Sequence, residues 1–153
     1  MAPPQLYKLL VPLLRCELTE VRDVASLALG NINHHALSDV MEELVPNVRE
    51  SLDRKQENMR RRRRRDTLRV QLMKLFNAAA TAGTFALSDS VIDMDSGSLL
   101  KHYLDYVDGA RCYLETDADK DNVLLTQIKV LFCKFVRRLI KSFTCELHWP
   151  FTE

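Results

Sequence analysis

Apolar side chains recur at intervals of three and four along almost the whole chain, and strict apolar–polar alternation over the length of a strand is hard to find. Successive helical residues turn by about 100°, so this spacing gathers the apolar groups on one face, whereas a strand would scatter them over both. The expectation is an all-α fold of six helices, at about residues 3–14, 20–29, 38–55, 59–82, 98–114 and 122–143. With 153 residues, 46% of them hydrophobic and only four glycines, the chain fits one domain whose core needs neither metal nor disulfide. Residues 1–143 are assigned to it. Residues 144–153, where His148, Trp149 and Pro150 break the pattern, are left as an unassigned C-terminal tail.

Local signals refine these spans. Leu6, Leu9, Leu10, Leu13 and Leu14 stripe the first helix, and Pro12 is expected to kink it near its end. Thr19 reads as the N-cap of the second helix, Glu20 suits its positive end, and Gly30 reads as a left-handed terminator. Ser38 reads as the cap of the third, which carries Pro46 inside it and buries Val40, Leu44, Val48 and Leu52. Leu68, Leu72, Leu75, Phe76 and Ala79 line one side of the fourth, which ends at Gly83, and residues 84–98, rich in Ser and Asp, form the expected loop. The strongest stripe, Leu124, Ile128, Leu131, Phe132, Phe135 and Leu139, marks the sixth, for which Asp119, Asp121 or Asn122 can act as cap.

Groups that could carry catalysis or bind a metal are poorly arranged. His34 and His35 are adjacent and cannot both face one metal easily. Cys145 and His148 lack a second ligand pair, and nothing supports a dyad of His102 with Cys112. Asp117, Asp119 and Asp121 imitate the start of a calcium loop, but Asn122 stands where the sharp turn needs glycine and Ile128 where a bidentate Glu closes the site. Phosphate-cradling glycine loops and the nucleophile elbow are absent. The reading is a non-enzyme without cofactor. The four cysteines, Cys16, Cys112, Cys133 and Cys145, lie far apart and read as buried free thiols. No apolar stretch approaches the roughly 20 residues of a membrane span, and the N-terminus lacks the features of a secretion signal, so a reducing, cytoplasmic setting is expected.

Charge is segregated along the chain although its net value is only +1. Residues 49–65 hold nine basic side chains against Glu50, Asp53 and Glu57, residues 87–121 hold nine carboxylates against three basic groups, and residues 122–143 carry five basic groups and no acid. Arg60, Arg61, Arg62, Arg63, Arg64 and Arg65 are consecutive. On a helix they must point in every direction, so some lean toward the core or the segment projects beyond the packed body. Cations in a first turn also oppose the helix dipole, by about 0.3 to 1 kcal/mol each when exposed, and an anionic partner offsets that. The six arginines are the candidate partner-binding residues. Carboxylates of a neighbouring helix pair, an acidic protein, nucleic acid or anionic lipid all suit guanidinium. The lack of interleaved aromatics for base stacking disfavours nucleic acid. A basic adaptor for nucleic acid or anionic membrane is the alternative reading.

Val21, Arg22, Ala25, Ala28, Leu29, Gly30 and Ile32 together resemble the inner-helix signature of HEAT repeats, in which small residues such as Ala25 and Ala28 let the paired helix approach. About three antiparallel helix pairs would make a HEAT- or armadillo-like array, the minimum for a stable one. If neighbouring repeats normally cover its ends, Leu6, Leu10, Phe135 and Phe143 are the positions expected to be exposed.

A more specific likeness lies in Leu29-Gly30-Asn31-Ile32-Asn33, then Met41-Glu42-Glu43-Leu44, then Asp53-Arg54-Lys55-Gln56-Glu57-Asn58-Met59 leading into the arginine run and Asp66. In this order they resemble the Furry family of very large cell-morphogenesis scaffolds, over roughly residues 5–143. The resemblance implies part of a longer helical-repeat protein without catalytic activity that promotes NDR-family kinase signalling with Mob co-activators. Polarised growth, cell shape and neurite or dendrite patterning are the implied processes, with cortical and microtubule association in some members. No family motif assigns kinase contacts to particular residues here.

Overall fold

The computed structural model describes residues 3–32, 36–55, 58–81, 99–116 and 122–147. Its helices are α1 (Pro3–Leu10), extended by a 3-10 turn (Val11–Arg15), α2 (Thr19–Gly30), α3 (Leu37–Leu52), α4 (Met59–Thr81), α5 (Leu99–Thr116) and α6 (Val123–Leu147), with no strand among the described residues. The expected loop at 84–98, with Gly83, His34, His35, Asp119, Asp121 and the end of the tail, lies outside the described residues.

Pro12 changes the helix type. Having no N–H and a ring that crowds the preceding turn, it ends α1 at Leu10 and continues the chain as the tighter 3-10 turn. Pro46 does not interrupt α3, which runs through it with the ring exposed.

Three local assignments are corrected. Thr19 is the first helical residue of α2 and not its cap, for Leu18 occupies the extended cap position without a side-chain bond. The Thr19 hydroxyl accepts from Arg22 at 3.0 Å, while Arg22 also donates to the carbonyls of Cys16 and Glu17 at 2.7 and 3.0 Å, fixing the connection that enters the helix. Ser38 follows Leu37 inside α3, whose cap position is Ala36. Gly30 ends α2 as a helical residue, and Asn31 closes the helix by donating its backbone and side-chain N–H groups to Leu27 O at 3.0 and 2.8 Å.

What Gly30 supplies is proximity. A Cβ there would stand 2.5 Å from Ala78 Cβ and 2.6 Å from the Leu75 carbonyl oxygen, so the end of α2 touches the α4 backbone through the missing side chain. Ala25 and Ser26 share that buried face, whereas Ala28 is exposed, contrary to its expected role in helix approach.

α4 packs chiefly between α2 and α6, and it also contacts α3. α1 and α5 both pack on α3, α5 packs on α6, and the 3-10 turn packs on α2. The expected stripe of α4 is buried, but so are Val70, Gln71, Met73, Asn77 and Ala80, because neighbours surround this helix. Toward its C-terminal end the Phe76 ring meets Tyr103, Tyr106 and Phe135 at centroid distances of 5.8, 4.6 and 5.8 Å, mostly edge-on. The wider core joins Leu14, Leu29, Val40, Leu44, Ala110 and Ile128, with Val48 and Leu52 half-buried against it.

Phe135 is therefore fully buried and Leu10 is half-buried, against expectation, because both side chains turn inward onto the core. Leu6 is exposed, and it shares that state with Leu9, Val24 and Leu27 on the first two helices, with Leu18 just before α2, and with Val123, Val130 and Ile140 on α6. The side chain of Phe143 is outside the described residues.

Candidate functional site

The arginine run forms the first turns of α4. Asn58 caps them, its Oδ1 accepting the Arg61 backbone N–H at 2.9 Å. Helical rotation then divides the run. Arg65 turns inward and is 9% exposed, donating to the Lys55 carbonyl at 2.8 Å. Arg60, Arg63 and Arg64, with Met59 and Thr67, line a groove of about 660 Å³ whose other wall is Arg15, Cys16, Glu17 and Arg22. Arg62 and Arg63 border a smaller groove of about 370 Å³ with Asp66, Asn122, Val123 and Leu124. Arg61 is exposed and lines neither.

The opposite wall is held in place by bonds of its own. Arg15 donates to Asn47 Oδ1 at 3.1 Å and pairs with Glu50, which ties the 3-10 turn to α3. Arg22 bonds the 16–19 connection as described. In contrast, the guanidinium groups of Arg60, Arg63 and Arg64 make no ion pair or hydrogen bond with the described residues. The groove thus joins two arginines anchored by protein contacts to three that extend from the first turns of α4.

Directly behind the run lies a buried polar junction that the sequence reading missed. Arg69 is 2% exposed, and its guanidinium donates to Ser51 O at 2.6 Å, Asp53 O at 2.9 Å and Asp66 Oδ1 at 3.2 Å. Its carbon also lies 3.7 Å from the centroid of the Tyr113 ring. One side chain thereby satisfies carbonyls at the end of α3, pairs with a carboxylate of α4 and covers a ring of α5. The second Asp66 oxygen accepts from Asn122 at 3.0 Å, while Asn122 Oδ1 accepts the N–H groups of Leu124 and Leu125 and caps α6. Of the three caps expected for α6, Asn122 is the one within the described residues, and it makes the bond.

Burial pushes the Tyr113 hydroxyl up to about 12 although the Arg69 charge pulls the other way, and burial drives Tyr103 and Tyr106 higher than their ordinary value, so none of the three ionises near neutrality. Among the described residues no group of three or more His, Cys, Asp or Glu could hold a metal ion, and no helix is long and apolar enough to cross a membrane. Three of the four cysteines are less buried than expected, and the side chain of Cys145 lies outside the described residues. Cys16 and Cys112 are half-buried and Cys133 lies on the open face of α6, all as free thiols.

A second polar seam joins α2 to α4. Ser26 donates to Gln71 Oε1 at 2.7 Å, and Asp23 accepts from Lys74 at 2.8 Å. The Lys74 hydrogen bond holds the Asp23 carboxyl below its ordinary value, against a smaller opposing effect of burial. Stability from this lowered value is present above the unfolded-state pKa and is lost as pH falls through the folded one. Lys74→Met is expected to move the Asp23 midpoint up toward the usual carboxylate range, read by carbon-detected NMR titration of its carboxyl. An unmoved midpoint would assign the lowering to Gln71 and Arg22 instead.

No family model matches the chain, and no solved structure matches it.

Proposed function

We propose that the chain is a non-catalytic, HEAT-like helical-repeat segment of a Furry-like scaffold. It supports NDR-family kinase signalling with Mob co-activators in cell morphogenesis and polarised growth, and it contacts a protein partner through the arginine run. The packing order supports the repeat reading. Even-numbered helices lie against one another, α1 and α5 lie against α3, and each odd helix with its continuation meets the next even one, as stacked helix pairs do. The sequence likeness over residues 29–66 supports the family.

The observation that carries the contact surface is the division of the run. Arg65 is committed to the fold, whereas Arg60, Arg63 and Arg64 project from a well-packed helix without a partner among the described residues. Exchanging these three for Gln keeps helix propensity and removes charges that oppose the helix dipole. The melting midpoint is expected to shift by the equivalent of about 1 kcal/mol or less. Recovery of NDR-family kinase and Mob co-activator in a pull-down from cells expressing the full scaffold is expected to fall sharply. Undiminished recovery would reject this contact surface, and recovery of anionic vesicles or nucleic acid in its place would favour the basic-adaptor reading.

A further inference from the structure

We infer that the groove between the 3-10 turn and the first turns of α4 is a docking site for an extended, carboxylate-rich segment of a partner protein. This rests on the contact-surface reading above and states the chemistry of what is contacted. Charge complementarity carries it, because cationic side chains stand on both walls, Arg15 and Arg22 facing Arg60, Arg63 and Arg64.

Spacing points to an extended peptide. Arg60 and Arg64 are one helical turn apart, a rise of about 6 Å along α4. Alternate residues of an extended chain, whose side chains point to the same face, are separated by about 6.6 Å. A peptide with acidic residues at every second position, laid along α4, can therefore set two successive carboxylates against Arg60 and Arg64. Each planar guanidinium can take a carboxylate in bidentate fashion. Met59, 77% exposed in the lining, offers an adaptable apolar contact beside the charges.

The lining also speaks against the other polyanions. Among the described residues no aromatic side chain lines the groove, so a nucleobase finds no surface there to stack on. Glu17 on the wall repels a continuous row of phosphates, whereas a peptide can place a neutral or basic residue opposite it. The recessed shape, with a wall on each side, suits one chain better than a flat lipid surface.

The test uses the full chain and fluorescence anisotropy of a labelled twelve-residue peptide with glutamate at alternate positions and a terminal leucine. The triple variant Arg60→Gln, Arg63→Gln, Arg64→Gln is expected to weaken binding about tenfold to a hundredfold. A triple variant with the same charge change at exposed positions away from the groove, Arg49→Gln, Arg54→Gln, Arg137→Gln, should change it by less than about twofold. Equal losses in the two variants would reduce the effect to net charge and overturn the site. So would equal affinity for a peptide with its glutamates clustered at one end, or no binding at all. Tighter binding of a single-stranded oligonucleotide of equal charge, or of phosphatidylserine vesicles, would overturn the choice of a peptide. Should the groove variant fold poorly, Arg63→Glu tested against a peptide with one glutamate changed to lysine gives a second reading. Restored affinity at one lysine position supports the site, and no restoration at any position overturns it. A groove that binds the peptide while kinase recovery is unaffected would sink only the proposed function. Lost recovery without peptide binding would sink only this inference.

Discussion

Arg69→Met is expected to destabilise the protein by about 3 to 5 kcal/mol, because it strands the buried Asp66 carboxylate and leaves the carbonyls of Ser51 and Asp53 without their donor. The size follows from burial, the two side chains of the pair being only 3% and 2% exposed. A surface pair such as Arg111 with Glu115 and Asp108 sits in water, and its removal should scarcely register. Urea denaturation followed by circular dichroism measures the loss. Changing Asp66 to Leu together with Arg69→Met should recover a good part of it, since the penalty lies in the unpaired charge more than in the missing attraction. A single variant as stable as the parent would show that Arg69 does not clamp α3, α4 and α5 together.

Gly30→Val is the second large effect, expected at about 3 kcal/mol. A glycine in an open helix gains about 1 kcal/mol when changed to alanine, but here even the first carbon would meet Ala78 and the Leu75 carbonyl at contact distances that backbone cannot relieve. Gly30→Ala should therefore already destabilise, and valine should do so more. Gly109→Ala is the matched control, because a Cβ there meets the side chain of Leu52, its two δ-methyls at 2.8 and 2.9 Å and its Cγ at 3.3 Å, and a half-buried side chain can shift where backbone cannot. If Gly30→Ala were stabilising, α2 and α4 would have room to part, and the close approach would not be a requirement of the fold.

These two residues also mark where the sequence stops being readable. The helices were legible because each is set by local spacing, and all six recur within a few residues of their expected spans. Gly30 was misassigned because glycine after an apolar helical run has two uses, a left-handed turn or a close approach, and only the position of α4, some 45 residues further on, decides between them. Arg69 gave no signal of the usual kind, since its partners are carbonyls 16 and 18 residues upstream and a ring contributed by α5. A buried arginine beside an aspartate three residues before it does leave one trace, however. Arg65 and Arg69 continue the stripe of Leu68, Leu72, Leu75 and Phe76, so the phase of that stripe picks out which cations face inward. The turning inward of part of the arginine run was foreseeable from rotation alone. Its assembly with Arg15 and Arg22 into a groove was not, because the opposite wall comes from a distant turn whose placement depends on Asn47 and Glu50 of α3.

The burial of α4 from Arg65 to Ala80 on nearly all sides has a kinetic consequence. Its later amides cannot meet solvent by a local fluctuation, since α2, α3 and α6 all have to leave first, so their hydrogen exchange should proceed only through global unfolding. The turn that holds Arg60, Arg61, Arg63 and Arg64 lies on the same continuous helix yet outside that shell, where fraying costs little. A partner that orders this turn extends the protected segment toward its N-terminus, and because it binds only the folded chain it also slows the amides that exchange through global unfolding, by a factor set by its free concentration over its Kd.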